Sequence, residues 1–587
     1  MRNHRYKRVL ALVLAAAALL ICLAGCNLPG GGKSSAKPPV GPVGTKRTDS
    51  GTAVLMRDDG TAVTATGDAA YTSTSRDQNW MIMEDEDGRL TLVDKNGEKT
   101  VIEQEKGDYR SIRNDGLIYF VHEEREKDWT IEDVIECVLE DGDYTDTVEE
   151  AIAIMIDWGY ENSVDGAKEF YEYLLGEAFD DVYTTTEDVR HGYRYTIPGG
   201  EKVDFGIVVD YIVNRRTSST LYLNEDNEIW VLRSGETAPE KITAIRSDAD
   251  VELIDVSPDG QIGFWLEESM DPDTYDSIYN VYCFEGTSTE RVVKDYVADY
   301  ISCNVMFTDD SKKAVLAAYN GEQLVLKKAG EECVTVRLNG TLGDYDVYSS
   351  ADILYDDVNG SWDDLYVLVS ADSSDDYNTL YHVNWDGERT KVISKVSACY
   401  IKQGNLYYMN ESDSLYVAKL NGAEAGEPEK IASDVYSFCV AYGGTAVAYL
   451  RSYDSNRETG TLFLKIAGTD DPIKISSEAG YHYYICADGK SVLYFEDCTE
   501  NSASYCEYGD LRLFTPTKDD GERATIATDV VLYGLYDGYN SYDTTYIDAD
   551  GFFYVKFDYA NSDDDAIGIL YYYNGKESTK LVSDVYA

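Results

Sequence analysis

The sequence predicts an all-β chain, a β-propeller of four-stranded blades interrupted by one helical insertion, and three observations carry that expectation. Short segments alternate apolar and polar residues, as in Arg89-Leu-Thr-Leu-Val93 and Ser414-Leu-Tyr-Val-Ala418, and Asn-Gly or Asp-Gly pairs bound them. That is the period-2 pattern of half-buried strands closed by tight turns. A unit of strand, Gly-containing turn and strand ending in Ile or Val recurs nine times: 90–102, 229–242, 281–293, 324–336, 380–393, 415–431, 462–475, 511–526 and 569–582. From the second copy on, the starts lie 35 to 58 residues apart, the range of a propeller blade or solenoid turn. Fifty tyrosines against 14 phenylalanines complete the picture. A tyrosine ring covers a pleated surface while its hydroxyl reaches water.

The elements follow in chain order. Residues 1–25 open with Arg2, Arg5, Lys7 and Arg8, continue through an apolar run from Val9 to Leu23, and end on small residues. A charged start and a short apolar core make a secretory signal rather than a spanning helix. The ending Leu23-Ala24-Gly25-Cys26 resembles the bacterial lipobox. That resemblance implies that Cys26 is lipidated and becomes the mature N-terminus, anchoring the chain to the extracytoplasmic side of the cell membrane. Two or more acyl chains, at about 0.8 kcal/mol per buried methylene, suffice for a stable anchor. Residues 26–52, rich in Gly, Pro, Ser and Lys, cannot bury apolar surface and read as a flexible tether.

Residues 53–587 read as the propeller. Between the nine hairpins lie two further strands per unit, as in Ser257-Pro-Asp-Gly-Gln-Ile-Gly-Phe-Trp265 and Ala487-Asp-Gly-Lys-Ser-Val-Leu-Tyr-Phe495, which gives four strands per blade. These two stretches resemble the S-P-D-G-K repeat of TolB-like propellers and of the propellers of prolyl-oligopeptidase-type proteins. Asn114-Asp-Gly116 and Asp309-Asp-Ser-Lys312 are weaker echoes. The Asp-Gly pair itself closes a hairpin that needs positive φ. Eight blades are expected, with seven or nine as alternatives. The terminal Ser583-Asp-Val-Tyr-Ala587 repeats the opening of a unit at Ser433-Asp-Val-Tyr436, so the last strand is expected to complete the first blade and hide its edge.

The strand pattern breaks at 126–185. Ile131, Val134, Ile135 and Val138 have helical spacing, as do Val148, Ala151, Ile152, Met155 and Ile156. Thr147-x-x-Glu150 is a capping box, and a third helix is expected over 164–178. An insertion this long caps one mouth of the ring, presents a partner surface, or packs on the flank of a blade.

Composition restricts the function. Without residues 1–25 the chain carries 47 Lys and Arg against 108 Asp and Glu. This surplus excludes nucleic acid and anionic membrane surfaces as electrostatic partners. Nine cysteines follow Cys26, an odd number without a C-x-x-C pair, which argues against zinc and against a full disulfide framework. Cys498 and Cys506 flank a polar segment that a bridge could close, while buried free thiols suit most of the nine. Catalytic signals are sparse. His122, His191, His382 and His482 show no paired metal spacing, and no G-x-S-x-G elbow, Walker A or Rossmann glycine pattern occurs. Triads are recognised by geometry, so an acid/base pair using His382 or His482 stays open. Asp548-x-Asp550-Gly551 alternates acids before a glycine, as calcium loops do, but lacks the later bidentate Glu; no other cofactor is implied. Acid groups at Glu84–Asp87, Asp271–Asp273 and Asp563–Asp565 read as solvated loops. Tyr481, Tyr483 and Tyr484, and again Tyr571 to Tyr573, place rings on both faces of a strand, either to pack neighbouring sheets or to stack on a sugar or peptide. The reading that emerges is a membrane-anchored, non-catalytic propeller lipoprotein that binds an envelope protein, peptide or glycan. The alternative is an extracellular glycan- or peptide-processing enzyme on the same scaffold.

Overall fold

A computed structural model describes residues 45–586, apart from 58–60, 76, 104–106, 127–128, 142–146, 177, 184–185, 247–248, 272–273, 275, 299–300, 309, 320–322, 339–352, 355–364, 371–376, 442, 502–505, 518–519, 533–546 and 558–566. Cys26, the signal segment, most of the tether and Asp563–Asp565 lie outside the described residues. The described chain is predominantly antiparallel β-sheet with one short helical insertion. No helix among the described residues is long and apolar enough to cross a membrane.

The strands fall into successive antiparallel quartets. The simplest is Ala69–Thr74, Trp80–Asp85, Leu90–Asp94 and Lys99–Glu103, paired in that order. Another is Asp250–Val256, Ile262–Met270, Ser277–Glu285 and Ser288–Val297. Elsewhere one long strand serves two quartets. Lys202–Val213 pairs back onto Thr186–Thr196 through residues 202–207 and forward onto Thr220–Asn224 through 208–213. Arg389–Lys402 and Ile473–Ile485 do the same, each with a register shift where the roles change. All nine hairpins expected from the sequence are the third and fourth strands of such quartets. A tenth quartet uses Gly107–Ile112, Gly116–Glu126, Thr186–Thr196 and the first half of Lys202–Val213. The described residues thus hold ten quartets, where eight units are expected. The tenth escapes a sequence reading because the helical insertion separates its second strand from its third. A further three-stranded sheet, Thr45–Arg47, Ala53–Met56 and Ala62–Ala65, begins the described chain.

The chain divides into two compact units. Asp68–Met270 with Asn280–Lys294 holds the first three quartets, most of the fourth and the helices. The other unit comprises the segment up to Gly67, Asp271–Tyr279 and Asp295–Ala587. Within this second unit the described ends of the chain meet. Thr48 bridges Val585, the Asp49 N–H donates to the Asp584 carbonyl at 2.8 Å, and the Tyr586 hydroxyl reaches Asp49 at 3.1 Å. Val54 and Met56 share an apolar cluster with Phe553, Val555 and Val585.

The second strand is the most buried element of most quartets: Ile262–Met270 begins with five buried residues, and so does Ala446–Asp454. In the ninth quartet the two faces of this strand feed separate apolar clusters, each shared with a neighbouring quartet. Phe495 and Leu493 pack with Phe552 and Tyr554 of the next quartet, while Val492 and Tyr494 pack with Leu462 and Leu464 of the preceding one. Strands one and two are joined by a recurring turn. In Ser257-Pro-Asp-Gly260 the Ser257 N–H donates to Ile262 O, the Gly260 N–H donates to Ser257 O, and the Asp259 carboxylate accepts from Ser257 Oγ and Gln261 N. The same backbone pattern closes Cys486–Ser491, Thr308–Lys313, Ser75–Trp80 and Ala441–Ala446. Its fourth position has positive φ: Gly260 at 73° and Gly489 at 71°, but also Ser311 at 60° and Gln78 at 55°. Glycine relieves that strain, and Ser311 and Gln78 occupy the same position in two of these turns.

In the insertion, α1 (Ile131–Asp141), α2 (Val148–Asp157), α3 (Val164–Leu175) and α4 (Phe179–Val182) pack mainly on one another. Val134, Ile135, Val138, Ala151, Met155, Ala167, Phe170 and Phe179 make their own small core, rather than lying on a sheet flank. Thr130 and Asp133 cap α1 reciprocally, Thr147 Oγ1 accepts the Glu150 N–H at 3.3 Å, and Gly176 ends α3 in the left-handed region.

The turns also tie quartets together. Asn214 Nδ2 donates to Val256 O at 2.6 Å, Thr217 and Ser219 hydroxyls donate to Pro258 O, and Asp115 accepts from the Ser218 N–H and hydroxyl. Asp255 is enclosed by these ties. Burial pushes its carboxyl up to about 7, although the Val256 N–H, Arg215 and Arg113 oppose the shift. Between its ordinary value of 3.8 and about 7, the folded chain holds a proton that the unfolded chain has released, so stability falls as pH rises through that window. Asp255→Asn is expected to remove this loss and to raise the urea midpoint above wild type at pH 8. An unchanged pH slope in the variant would contradict the assignment.

Candidate functional site

The eighth and ninth quartets, built from Val435–Val440 through Gly521–Val531, bring rings, carboxylates and one histidine together at one end of their strands. Asp434, at φ 56°, bends the chain into Val435–Val440 and accepts from the Ser452 hydroxyl at 2.8 Å. This bend presents Tyr436, 55% exposed, face to face with Tyr453 at 4.1 Å and an interplanar angle of 14°. On the next quartet Tyr481 and His482 lie with ring centroids 4.0 Å apart. The Tyr481 hydroxyl donates to Glu507 Oε2 at 2.9 Å, and His482 Nε2 stands 3.7 Å from the same oxygen. Desolvation of the Tyr453 phenol, together with Tyr436, Glu458, Cys498 and Glu507 around it, raises its pKa and places all of them in one neighbourhood.

Cys498 lies beneath this group. Its Sγ would sit 2.7 Å from a Cβ at position 480 and 3.2 Å from one at 509, so Gly480 and Gly509 are the residues that admit it. Burial, reinforced by Glu507, Glu458, Asp497 and Asp510, pushes the thiol up to about 12. It is a free thiol, and the side chain of Cys506, its expected partner, lies outside the described residues. A thiol held protonated is a poor nucleophile. Alongside, Arg512 pairs with Glu496 at 2.9 Å, and Glu496 accepts from Ser476. Burial raises Asp510, with Arg512 opposing it.

The arrangement suits recognition. A stacked, half-open tyrosine pair offers a flat apolar face, and carboxylates beside it accept hydroxyl or amide protons. It also holds an imidazole near a carboxylate, the geometry of a candidate general base. Burial lowers the His482 pKa and Glu507 partly offsets that, which favours the neutral ring.

The other residues singled out from sequence are dispersed. His191 pairs with Asp204 at 2.7 Å and stacks on Tyr193. His382 lies against Tyr366 at 5.4 Å. Asp548 accepts the Asp550 N–H at 3.0 Å and bridges Gly551, which makes the pair a turn. No group of three or more His, Cys, Asp or Glu among the described residues is arranged to hold a metal ion. Tyr483 and Tyr573 are buried in clusters between sheets, and Tyr484, Tyr571 and Tyr572 pack partly buried against them. Tyr436, Tyr453 and Glu507 were not legible as a group, because they arrive from three different strands.

No family model and no curated protein matches the sequence. Among solved structures, a eukaryotic initiation factor is similar over 74% of this chain and 96% of its own, at 7% identity and a TM-score of 0.34. The tricorn protease is similar over 86% of this chain and 57% of its own, at 10% identity and a TM-score of 0.27. The acylaminoacyl peptidase of Pyrococcus horikoshii is similar over 68% of this chain and 58% of its own, at 10% identity and a TM-score of 0.23. The chain therefore spans less than two thirds of either peptidase. At such scores the similarity is weak, and no residue role is carried over from it.

Nuclear magnetic resonance titration of the His482 ring is expected to give a midpoint below 6.5. Because the folded value is depressed, the residue's contribution to stability is present above pH 6.5 and is lost as pH falls through the folded value. A midpoint above 6.5 would show that Glu507, rather than burial, dominates.

Proposed function

We propose that the chain is a lipoprotein, anchored through Cys26 on the extracytoplasmic side of the cell membrane, whose β-propeller scaffold binds an envelope glycan or peptide at the tyrosine-and-carboxylate site. The observation that carries this reading is the exposed stack of Tyr436 on Tyr453 beside Glu458 and Glu507. The quartets are read as blades, and the junction of Thr48 with Val585 supports closure of the unit that holds both ends. The large negative charge argues against nucleic acid as a ligand.

A second reading, processing of an extracellular peptide or glycan, is favoured by one feature: the neutral His482 beside Glu507 and Tyr481. In that reading His482 removes a proton from a bound nucleophile such as water, and Glu507 orients the ring and stabilises the imidazolium that forms. Cys498, held as a thiol, takes no nucleophilic part.

Tyr436→Ala removes one face of the stack and is expected to weaken binding on a glycan and peptide array about tenfold while leaving the unfolding midpoint unchanged. Equal array signals for wild type and variant would exclude the site. His482→Gln separates the two readings: binding persists in both, and turnover of any array member disappears only if the histidine is a base. Independently, Cys26→Ala is expected to move the protein from the membrane fraction to the soluble one. Retention in the membrane would contradict anchoring through Cys26.

A further inference from the structure

The helical insertion carries an exposed aromatic patch inside a strongly acidic surface. Ile156 and Trp158 at the end of α2 are 46% and 47% exposed, and Tyr173 on α3 is 66% exposed. Ile156, placed on the apolar stripe by its spacing, therefore faces solvent. Trp158 meets Tyr173 edge-on at 6.0 Å, Tyr160 lies 6.3 Å from Tyr173, and both Trp158 and Tyr160 rest on the buried Phe170. The patch is thus held from beneath by the insertion's own core. Its shape depends on Gly166, where a Cβ would fall 2.1 Å from the Glu161 carbonyl oxygen and push the α2–α3 connection away.

Charge sets the kind of partner. Residues 129–183 contain seventeen acidic side chains and a single basic one, Lys168. Lys168 is committed to Asp180 at 2.7 Å and lies over the Phe179 ring. Asp157, Glu161, Glu169 and Glu172 are exposed on the segments that carry the aromatic residues. Large exposed apolar groups rimmed by like charge mark an interaction surface of opposite charge. Trp and Tyr faces additionally attract Lys or Arg through their ring quadrupoles.

We propose that this patch docks a cationic amphipathic segment of a partner protein, with an apolar side chain seated on Trp158 and Tyr173 and Lys or Arg residues paired with Asp157, Glu161, Glu169 and Glu172. This inference is independent of the tyrosine site in the other unit. An anionic lipid surface or nucleic acid would be repelled by the same carboxylates.

Calorimetric titration of the mature full chain with a synthetic Leu/Lys amphipathic peptide, and with its Leu/Glu counterpart, tests it. The Leu/Lys peptide is expected to bind with an affinity that falls as salt rises, and the Leu/Glu peptide is expected not to bind. Tyr173→Ser, at a position too exposed to affect folding, should weaken the Leu/Lys peptide about tenfold, and Glu169→Lys should weaken it by a similar factor. Tyr436→Ala should leave this binding unchanged. Undiminished affinity in both Tyr173→Ser and Glu169→Lys would overturn the proposal, because the peptide would then be held by diffuse charge alone. No binding of the Leu/Lys peptide, binding of the Leu/Glu peptide, or a sedimenting dimer of the chain that Tyr173→Ser dissociates would overturn it as well.

Discussion

The second strand of each quartet is apolar on both faces, and that constraint organises the molecule. An antiparallel sheet usually buries one face and wets the other. Here strands such as Ala446–Asp454 and Ile262–Met270 begin with five consecutive buried residues, so a quartet standing alone would expose one apolar face. Each large side chain so exposed forgoes roughly 1.5–3 kcal/mol. Stacking against the next quartet removes the deficit, and the apolar clusters that join Leu464 to Tyr494 and Leu493 to Phe552 are the result. Stability in such an array is a sum of local terms and nearest-neighbour interfaces.

The polar features follow from that stacking. Turns between first and second strands come close to those of the adjacent quartet, and they exchange hydrogen bonds there: Asn214 with Val256, Asp115 with Ser218, Thr445 with Gly489. Asp255 is enclosed by the same approach and is left as a carboxyl that favours its proton. At the opposite ends of the strands the chain crosses from one quartet to the next through Asp434 in the left-handed region. The following residues are then free to carry Tyr436, and the corresponding crossing of the next quartet carries Tyr481 and His482. The candidate site is built on crossings fixed by sheet packing.

Much of the fold is legible in the sequence because the third and fourth strands form a compact hairpin with a glycine-bearing turn. Copies such as 324–336 and 462–475 announce themselves by alternation alone. The unit containing 107–126 and 186–213 does not, because α1 to α4 separate two strands that pair directly, Gly116–Glu126 with Thr186–Thr196. The helices are legible in spacing and in Thr147 and Glu150, yet spacing places Ile156 on the apolar stripe although it faces water. Single residues of the candidate site, Tyr481 and His482, stood out by type. Their partners Glu507, Tyr453 and Tyr436 did not, since strand pairing and quartet stacking, not sequence distance, bring them together.

Stability resides in the doubly buried second strands and declines toward the outer fourth strands. Native-state hydrogen exchange followed by mass spectrometry tests it most directly. Amides of Ile262–Met270 and Ala446–Asp454 are expected to exchange last, whereas those of Ser288–Val297 and Glu429–Ala432 exchange early. Uniform protection across each quartet, or outer strands that outlast the second strands, would contradict it.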